Sequence, residues 1–427
     1  MSKVKKLIPV LRFPEFVNDG EWVEDTLGQV VTFSKGKGIS KGDIVENGKF
    51  KCIRYGELYT AYGETISEVF SSTNVDLKDL ILSEENDVLI PSSGETQIDI
   101  ARASCLLTPG IALGGDINIL KPVINGVFLS HYLNGVKKRE IARMSQGISV
   151  VHLYSSQLQN LIINFPLSKD KSKNEQQKIA SCLSSLDEII SAHKDKLQAL
   201  KDHKKGLIQI LFPQEGKTVP NYRFSEFEND GEWNLKPLDE ICKLVRGPFG
   251  GALKKEIFVK NGYAVYEQSH AIYSDFSSFR YRINDEKFSE LKRFSVKSGD
   301  LIMSCSGTMG KFALIPKDFE QGAINQALLK LTAKKGFDNS FVKISLETDT
   351  NQKKLLSQSA GGAIKNVVSV SQIRELELAI PKPEEQQKIA SCLADLDKLI
   401  TAQEEKIEQL QLHKKGLMQG LFPKIEN

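Results

Sequence analysis

The chain has 427 residues, enough for two or more domains that each bury their own interior. With 40% hydrophobic and 26% charged residues, 31 glycines and 14 prolines, its composition is that of a folded globular protein and excludes a fibrous or low-complexity chain. A net charge of +3 is too small to point to nucleic acid by itself, but residues 31 to 165 are close to balance while residues 243 to 380 carry an excess of roughly seven positive charges.

The opening, MSKVKKLIPVLRFPEF, has basic residues but no apolar leader core or small-residue cleavage site. No apolar run is long enough to span a bilayer, so a cytoplasmic location with no membrane partner is expected. RFPEFVNDGEW follows at Arg12–Trp22. The stretches FKCIRYGELYT, DVLIPSS, ASCLLTPG and INILKP then read as strands, and VFLSHYLNGVKKREIARMS contains a helix. From Glu175 to Pro213 apolar residues recur at spacings of four and three, from Ile179 through Leu183, Leu186 and Ile190 to Leu211. This is a long helix with a heptad seam.

The plan then repeats. RFSEFENDGEW at Arg223–Trp233 matches the first prologue. YAVYEQ, DLIMSCSG, FALIPK and ALLKLTA read as strands, with a helix in FVKISLETDTNQKKLLSQS. Glu385–Pro423 matches Glu175–Pro213 at 24 of 39 positions without a gap. A tandem duplication has kept its frame and let its interior diverge. Each long helix, at 1.5 Å per residue, extends for roughly 55 Å, too far to be covered by one domain. The partner for each seam is the other helix, with His193, Gln403, Lys204 and Lys414 as polar register positions. An antiparallel pair is favoured because a domain lies between the helices in the chain. The opening KLIPVLRF resembles the stretch after the first helix, as in a quasi-circular molecule whose ends meet.

The expected architecture is α+β: two mixed α/β domains separated by two long antiparallel coiled-coil helices in a pseudo-two-fold repeat. Its divisions are 1–168, 169–213, 214–380 and 381–427. No catalytic constellation is legible. GxxxxGK[ST], HExxH and GxSxG are missing, and so is any Pro-Pro pair, hence the Asn/Asp-Pro-Pro-Tyr signature of amino-methyltransferases. The six cysteines are scattered without metal-site spacing and read as reduced core thiols.

Candidate ligand contacts lie in the divergent interior. In the first block Lys35, Lys37 and Lys41 follow one another in a Gly-rich loop, and Arg54, Tyr55, Tyr59 and Tyr62 share IRYGELYTAYG. Ser93 and Thr96 lie in the turn after DVLIP. The second block offers Lys254, Lys255, Gln268, Ser269, His270, Arg280, Arg282, Ser306, Thr308, Gln326, Lys365 and Asn366. Cationic and aromatic side chains on loops can follow a phosphate backbone, while Asn, Gln and Arg can read base edges. The same residue types are common on any soluble surface.

The paired NEQQKIA/EEQQKIA openings, the HKKGL[IM]Q[IG]LFP ends, the RFxEFxNDGEW prologues and the strand-like LIINFP and LELAIP resemble the specificity subunit of Type I restriction-modification systems over essentially the whole chain. The resemblance implies two target-recognition domains that each read half of a bipartite, asymmetric double-stranded DNA site. It also implies docking of two methyltransferase subunits and of restriction subunits. S-adenosylmethionine, magnesium and ATP would belong to those partners, with no cofactor, metal or catalytic centre in this chain. Gln176, Gln177, Lys205 and Gln209, with Gln386, Gln387, Lys415 and Gln419, match between repeats although the seam does not need them. They are the expected docking surface. Two other readings compete: a stand-alone coiled-coil DNA-binding regulator, and a scaffold for protein or glycan ligands.

Overall fold

A computed structural model describes residues 7–166, 171–357 and 370–423. Contacts divide the chain into two compact units, Met1–Asp195 with Glu404–Asn427, and Lys196–Gln403. This division passes through both long helices instead of setting them apart.

In the first unit β1 (Val31–Lys35), β2 (Phe50–Ile53), β3 (Val88–Pro91) and β4 (Ile117–Pro122) lead to α1 (Gly126–Tyr132) and to the long α2 (Lys171–Leu211). β4 lies between β1 and β3, antiparallel to both, with Leu120 opposite Phe33 and Ile119 opposite Leu89. Every residue of β3 is buried, because the sheet is covered on both faces. Side chains alternate along a strand, so Val88 and Ile90 enter one core while Leu89 enters another. The first core also holds Phe128 of α1 and Ile179, Ala180 and Leu183 of α2. The second is shared with Ile53, from the smaller sheet in which β2 runs parallel to Ala112–Leu113.

The second unit repeats this order with β5 (Cys242–Arg246), β6 (Tyr263–Tyr266), α3 (Gln268–Tyr273), β7 (Leu301–Ser304), β8 (Leu328–Ala333), α4 (Asn339–Glu347) and α5 (Pro383–Leu421). β8 lies between β5 and β7, both antiparallel to it, and β6 runs parallel to Gly322–Ile324. Leu301 and Met303 face the core that contains Phe341, whereas Ile302 faces the other.

The motifs that repeat in the sequence meet in space. Arg12 donates from Nε and Nη2 to Glu175 at 2.8 Å each, and from Nη1 to the Gly20 carbonyl at 2.6 Å. Arg223 does the same to Glu385 at 2.7 and 2.6 Å, and to Gly231 at 2.6 Å. A planar fork matches a carboxylate, and the paired bonds offset the cost of burying both charges. Gly20 and Gly231 have φ of 81° and 75°, the left-handed region that the DGEW turn requires. Trp22 packs against Phe128 and Phe422, and Trp233 against Phe341 and Phe212. The Leu11 amide donates to Gly420 at 2.8 Å, as that of Tyr222 does to Ile210 at 2.9 Å. Ile179, Leu183, Leu186 and Ile190 are buried in α2, as are Ile389, Leu393, Leu396, Ile400 and Gln403 in α5; of these, Ile179 and Leu183, and Ile389 and Leu393, lie in the cores of their own units.

Among the described residues no helix is long and apolar enough to cross a membrane. The cysteines are free thiols; Cys52, Cys105, Cys242 and Cys305 are buried, which pushes Cys52 and Cys305 up to about 11 and Cys105 and Cys242 up to about 12.

Candidate nucleic-acid interface

The first loop of each unit leaves its sheet through a glycine that nothing else can replace. A Cβ added at Gly36 would collide with the Gly114 carbonyl, and one at Gly247 with that of Asn325. The neighbouring amides are fixed as well, Lys37 N to Leu113 O at 2.9 Å and Gly247 N to Leu328 O at 2.9 Å. Beyond these pins Lys37 and Lys41 are exposed in the first unit, and Lys254 and Lys255 in the second, while Lys35, also exposed, ends β1 just before Gly36. They are ammonium groups on a braced loop, free to follow an anionic backbone.

The second loop follows the strand with a parallel partner. In the first unit Glu57 accepts from the Arg54 amide at 2.7 Å and also bonds Ser71, which fixes the turn 54–57. Arg54 is half-buried with its Nε unpartnered, Tyr55 packs on the core, and Tyr59 is half-buried. Burial raises the Tyr59 hydroxyl above its ordinary value, helped by Tyr55, Glu95 and Asp99. Tyr62 does not belong to the surface. It is buried, its hydroxyl accepts from the Phe70 amide at 3.1 Å, and its ring stacks on Phe70.

In the second unit α3 and the turn after β7 come together. Ser306 Oγ donates to Gln268 Oε1 at 3.1 Å, and Gln268 Nε2 donates to the Thr308 carbonyl at 3.4 Å. Ser269 and Thr308 are exposed beside them. His270 is withdrawn from the candidate set: it is buried, its Nδ1 accepts from the Glu267 amide at 2.8 Å, and its Nε2 lies 3.2 Å from the Ser278 carbonyl. Arg282 is engaged by Glu320, whose carboxylate holds the guanidinium above its usual range. Arg280 is exposed over the Tyr281 ring at 4.8 Å. Gln326 is exposed, and Lys365 and Asn366 lie outside the described residues.

The matching turn of the first unit is more occupied. Ser93 is buried with its hydroxyl 3.0 Å from His152 Nδ1, and Thr96 caps a short helix by accepting from the Asp99 amide at 3.2 Å. Ser93 is therefore removed as a base-reading group. Sequence reading also missed Arg246, which ends β5 just before Gly247 and has a buried, unpartnered Nη1. The register of Gly36 with Gly247 was the available signal, since it makes Arg246 the counterpart of Lys35.

The docking set divides in the same way. Gln176 and Gln386 are buried, and their side-chain oxygens accept from the amides of Asn125 at 3.0 Å and Asp338 at 2.9 Å, the caps of α1 and α4. They hold the frame and are not available to another protein. Gln177 is exposed and bonds Asn125 at 2.9 Å, and Gln387 is exposed. Lys205 and Gln209 line a groove of about 310 Å³ in the second unit, while Lys415 and Gln419 line one of about 730 Å³ in the first.

Two blocks with one strand order, one set of buried motifs and unlike loops are the features to compare with other proteins. The profile of the Type I restriction modification DNA specificity domain matches residues 19–202 and again 230–412. The chain belongs to the family of Type I restriction-modification specificity subunits. It is 23% identical to the Type I restriction enzyme MjaVIII specificity subunit of Methanocaldococcus jannaschii, with 96% of this chain and 93% of that one covered. It is also 23% identical to the putative MjaX specificity subunit of the same organism, over 72% of this chain and 71% of the other. Among solved structures, the Type-I restriction-modification system S subunit from M. genitalium has the same fold, with a TM-score of 0.61 at 15% identity, covering 98% of this chain and 100% of that one. A chain from a structure concerned with assembly and conformational transition of the type I R-M system gives 0.55 at 14% identity, covering 94% and 97%. Membership in this family makes the two units DNA-specificity domains.

Proposed function

We propose that the chain selects DNA for a methyltransferase and restriction complex by reading a bipartite, asymmetric site, with one unit for each half. The observation that carries this reading is the divergence of two equivalent loop systems on one duplicated frame. Equivalent glycines launch Lys37 and Lys41, just after Lys35, in one unit but Lys254 and Lys255 in the other, so the loops meet different bases. Shared loops would predict a palindrome. The second unit, with the positive excess of residues 243 to 380, draws phosphate more strongly.

The two long helices act as an antiparallel coiled-coil spacer of pseudo-two-fold symmetry, with the segments 169–213 and 381–427 between recognition domains 1–168 and 214–380. Two ion pairs support this. Lys414 meets Asp187 at 2.5 Å in the first unit, and its repeat counterpart Lys204 meets Asp397, the counterpart of Asp187, at 2.5 Å in the second. The seam lysines thus set register across the pair. The grooves beside Lys205 with Gln209 and Lys415 with Gln419 dock two methyltransferase subunits, to which restriction subunits join. The chain itself is non-catalytic, and S-adenosylmethionine, magnesium and ATP are held by those partners.

The test is co-expression with the cognate methyltransferase subunit in a methylation-free host, followed by mapping of modified adenines. A split motif whose one half changes when residues 31–165 are exchanged is the expected result. An unmodified genome in the presence of a soluble complex would reject the reading. For docking, charge reversal at Lys205 and Lys415 should abolish co-purification of the methyltransferase, and unchanged co-purification would remove those residues.

A further inference from the structure

We propose that Glu64, His131 and Asp187 form a binding site for a divalent transition-metal ion such as zinc in the first unit, without a counterpart in the second. One ligand atom from each residue lies within 4.8 Å of the others, and this is the one such group among the described residues. The residues come from three places in the fold: Glu64 just before the strand Thr65–Ile66, His131 on α1 and Asp187 on α2. An imidazole with two carboxylates is a donor set suited to zinc, which commonly takes three protein ligands and leaves one position for water.

The independent sign of a missing ligand is His131. Its side chain is 0% exposed, and neither ring nitrogen has a hydrogen-bond partner. Asp187 Oδ2, also buried and unpartnered, lies 3.7 Å from Nε2, too far for a hydrogen bond. Buried polar groups are almost always satisfied, so two orphans facing each other require an explanation. An imidazole whose nitrogens have no hydrogen-bond partner has a lone pair to give to a metal ion.

A cation already stands near the carboxylates. Lys414 Nζ lies 2.5 Å from Asp187 and 3.2 Å from Glu64. An ammonium has only protons to donate, whereas a metal ion can accept the imidazole lone pair and both carboxylates together. Lys414 also lines the groove of about 730 Å³ with Glu64, so it has an open space into which to withdraw. In the second unit the Lys204–Asp397 pair is more exposed, and counting from the caps Asn125 and Asp338 puts Ile344 where His131 stands.

The full chain, stripped of metal, would be titrated with zinc and, for spectroscopy, with cobalt(II). Wild type is expected to take up one ion with a cobalt spectrum showing a nitrogen ligand. Lys414→Met, which removes the competing ammonium, should bind about tenfold tighter or more, and His131→Gln about tenfold weaker or more. Lys204→Met should bind as wild type. Absence of zinc uptake by Lys414→Met would overturn the proposal, as would equal uptake by wild type and His131→Gln.

Discussion

Arg12 and Arg223 grip Glu175 and Glu385 with the same pair of bonds, and Trp22 and Trp233 stand against equivalent phenylalanines. Lys414 and Lys204 are repeat partners too, yet their surroundings differ. The side chain of Lys414 is 12% exposed among Glu64, Asp187 and His131, whereas that of Lys204 is 27% exposed against an Asp397 that is 53% exposed. A duplicated motif therefore fixes a geometry, but the diverged block packed against it decides what that geometry contributes.

The comparison breaks most easily at the tryptophans. Trp22→Ala and Trp233→Ala should each destabilise their own unit by about 3–5 kcal/mol, since each empties a core filled by aromatic rings. Denaturant unfolding followed by hydrogen exchange would show the loss confined to the mutated unit and of similar size in both. Unequal losses would show that the frames are not equivalent. The lysines should behave in the opposite manner. In metal-free buffer Lys414→Met should cost about 2–3 kcal/mol, because it strips two partly buried carboxylates of their cation, while Lys204→Met at the surface should cost under about 1 kcal/mol. Equal costs would mean that local burial has no influence on the pair.

Much of this frame was legible in the sequence, for physical reasons. Long helices with a sustained period leave an unambiguous pattern; α2 and α5 span Lys171–Leu211 and Pro383–Leu421, within the segments 169–213 and 381–427 read from the sequence. The strands in DVLIPSS and DLIMSCSG were legible because four-residue apolar runs ending in a Ser/Gly turn have few other ways to be buried. What motif matching could not give was the use of each residue. Gln176 and Gln386 looked like a docking face because they repeat, but they repeat because each satisfies the amide of a helix cap. His270 and Tyr62 were grouped with basic residues by proximity in sequence, whereas their side chains turn inward to backbone partners. The two-residue strands, such as Thr65–Ile66, carry no period at all. The metal-ligand group was invisible because its members are far apart in the chain and only folding brings them together.

The smallest expected effects lie in the loops. Lys254→Ala with Lys255→Ala should weaken DNA binding by the assembled complex nearly uniformly across sequences, and should reduce the slope of log affinity against log salt by about 1 per lysine that contacts phosphate. Lys35→Ala with Lys37→Ala should act alike but less strongly if the charge excess of the second block governs attraction. Measurements by fluorescence anisotropy over a salt series would decide. Loss of binding to the specific site alone would instead assign the lysines to base reading.

The bond from the Leu11 amide to Gly420, matched by that from Tyr222 to Ile210, has a topological consequence. The path through the first unit is sewn shut by the same stitch that, in the second, lies beside a continuous piece of chain at Gln214–Gly216. In the first unit the bond joins stretches far apart in the chain, and in the second stretches close together. A circular permutant opened at Gln214–Gly216, with its original ends joined by a short linker, would inherit the full set of frame contacts and should fold to the same two units.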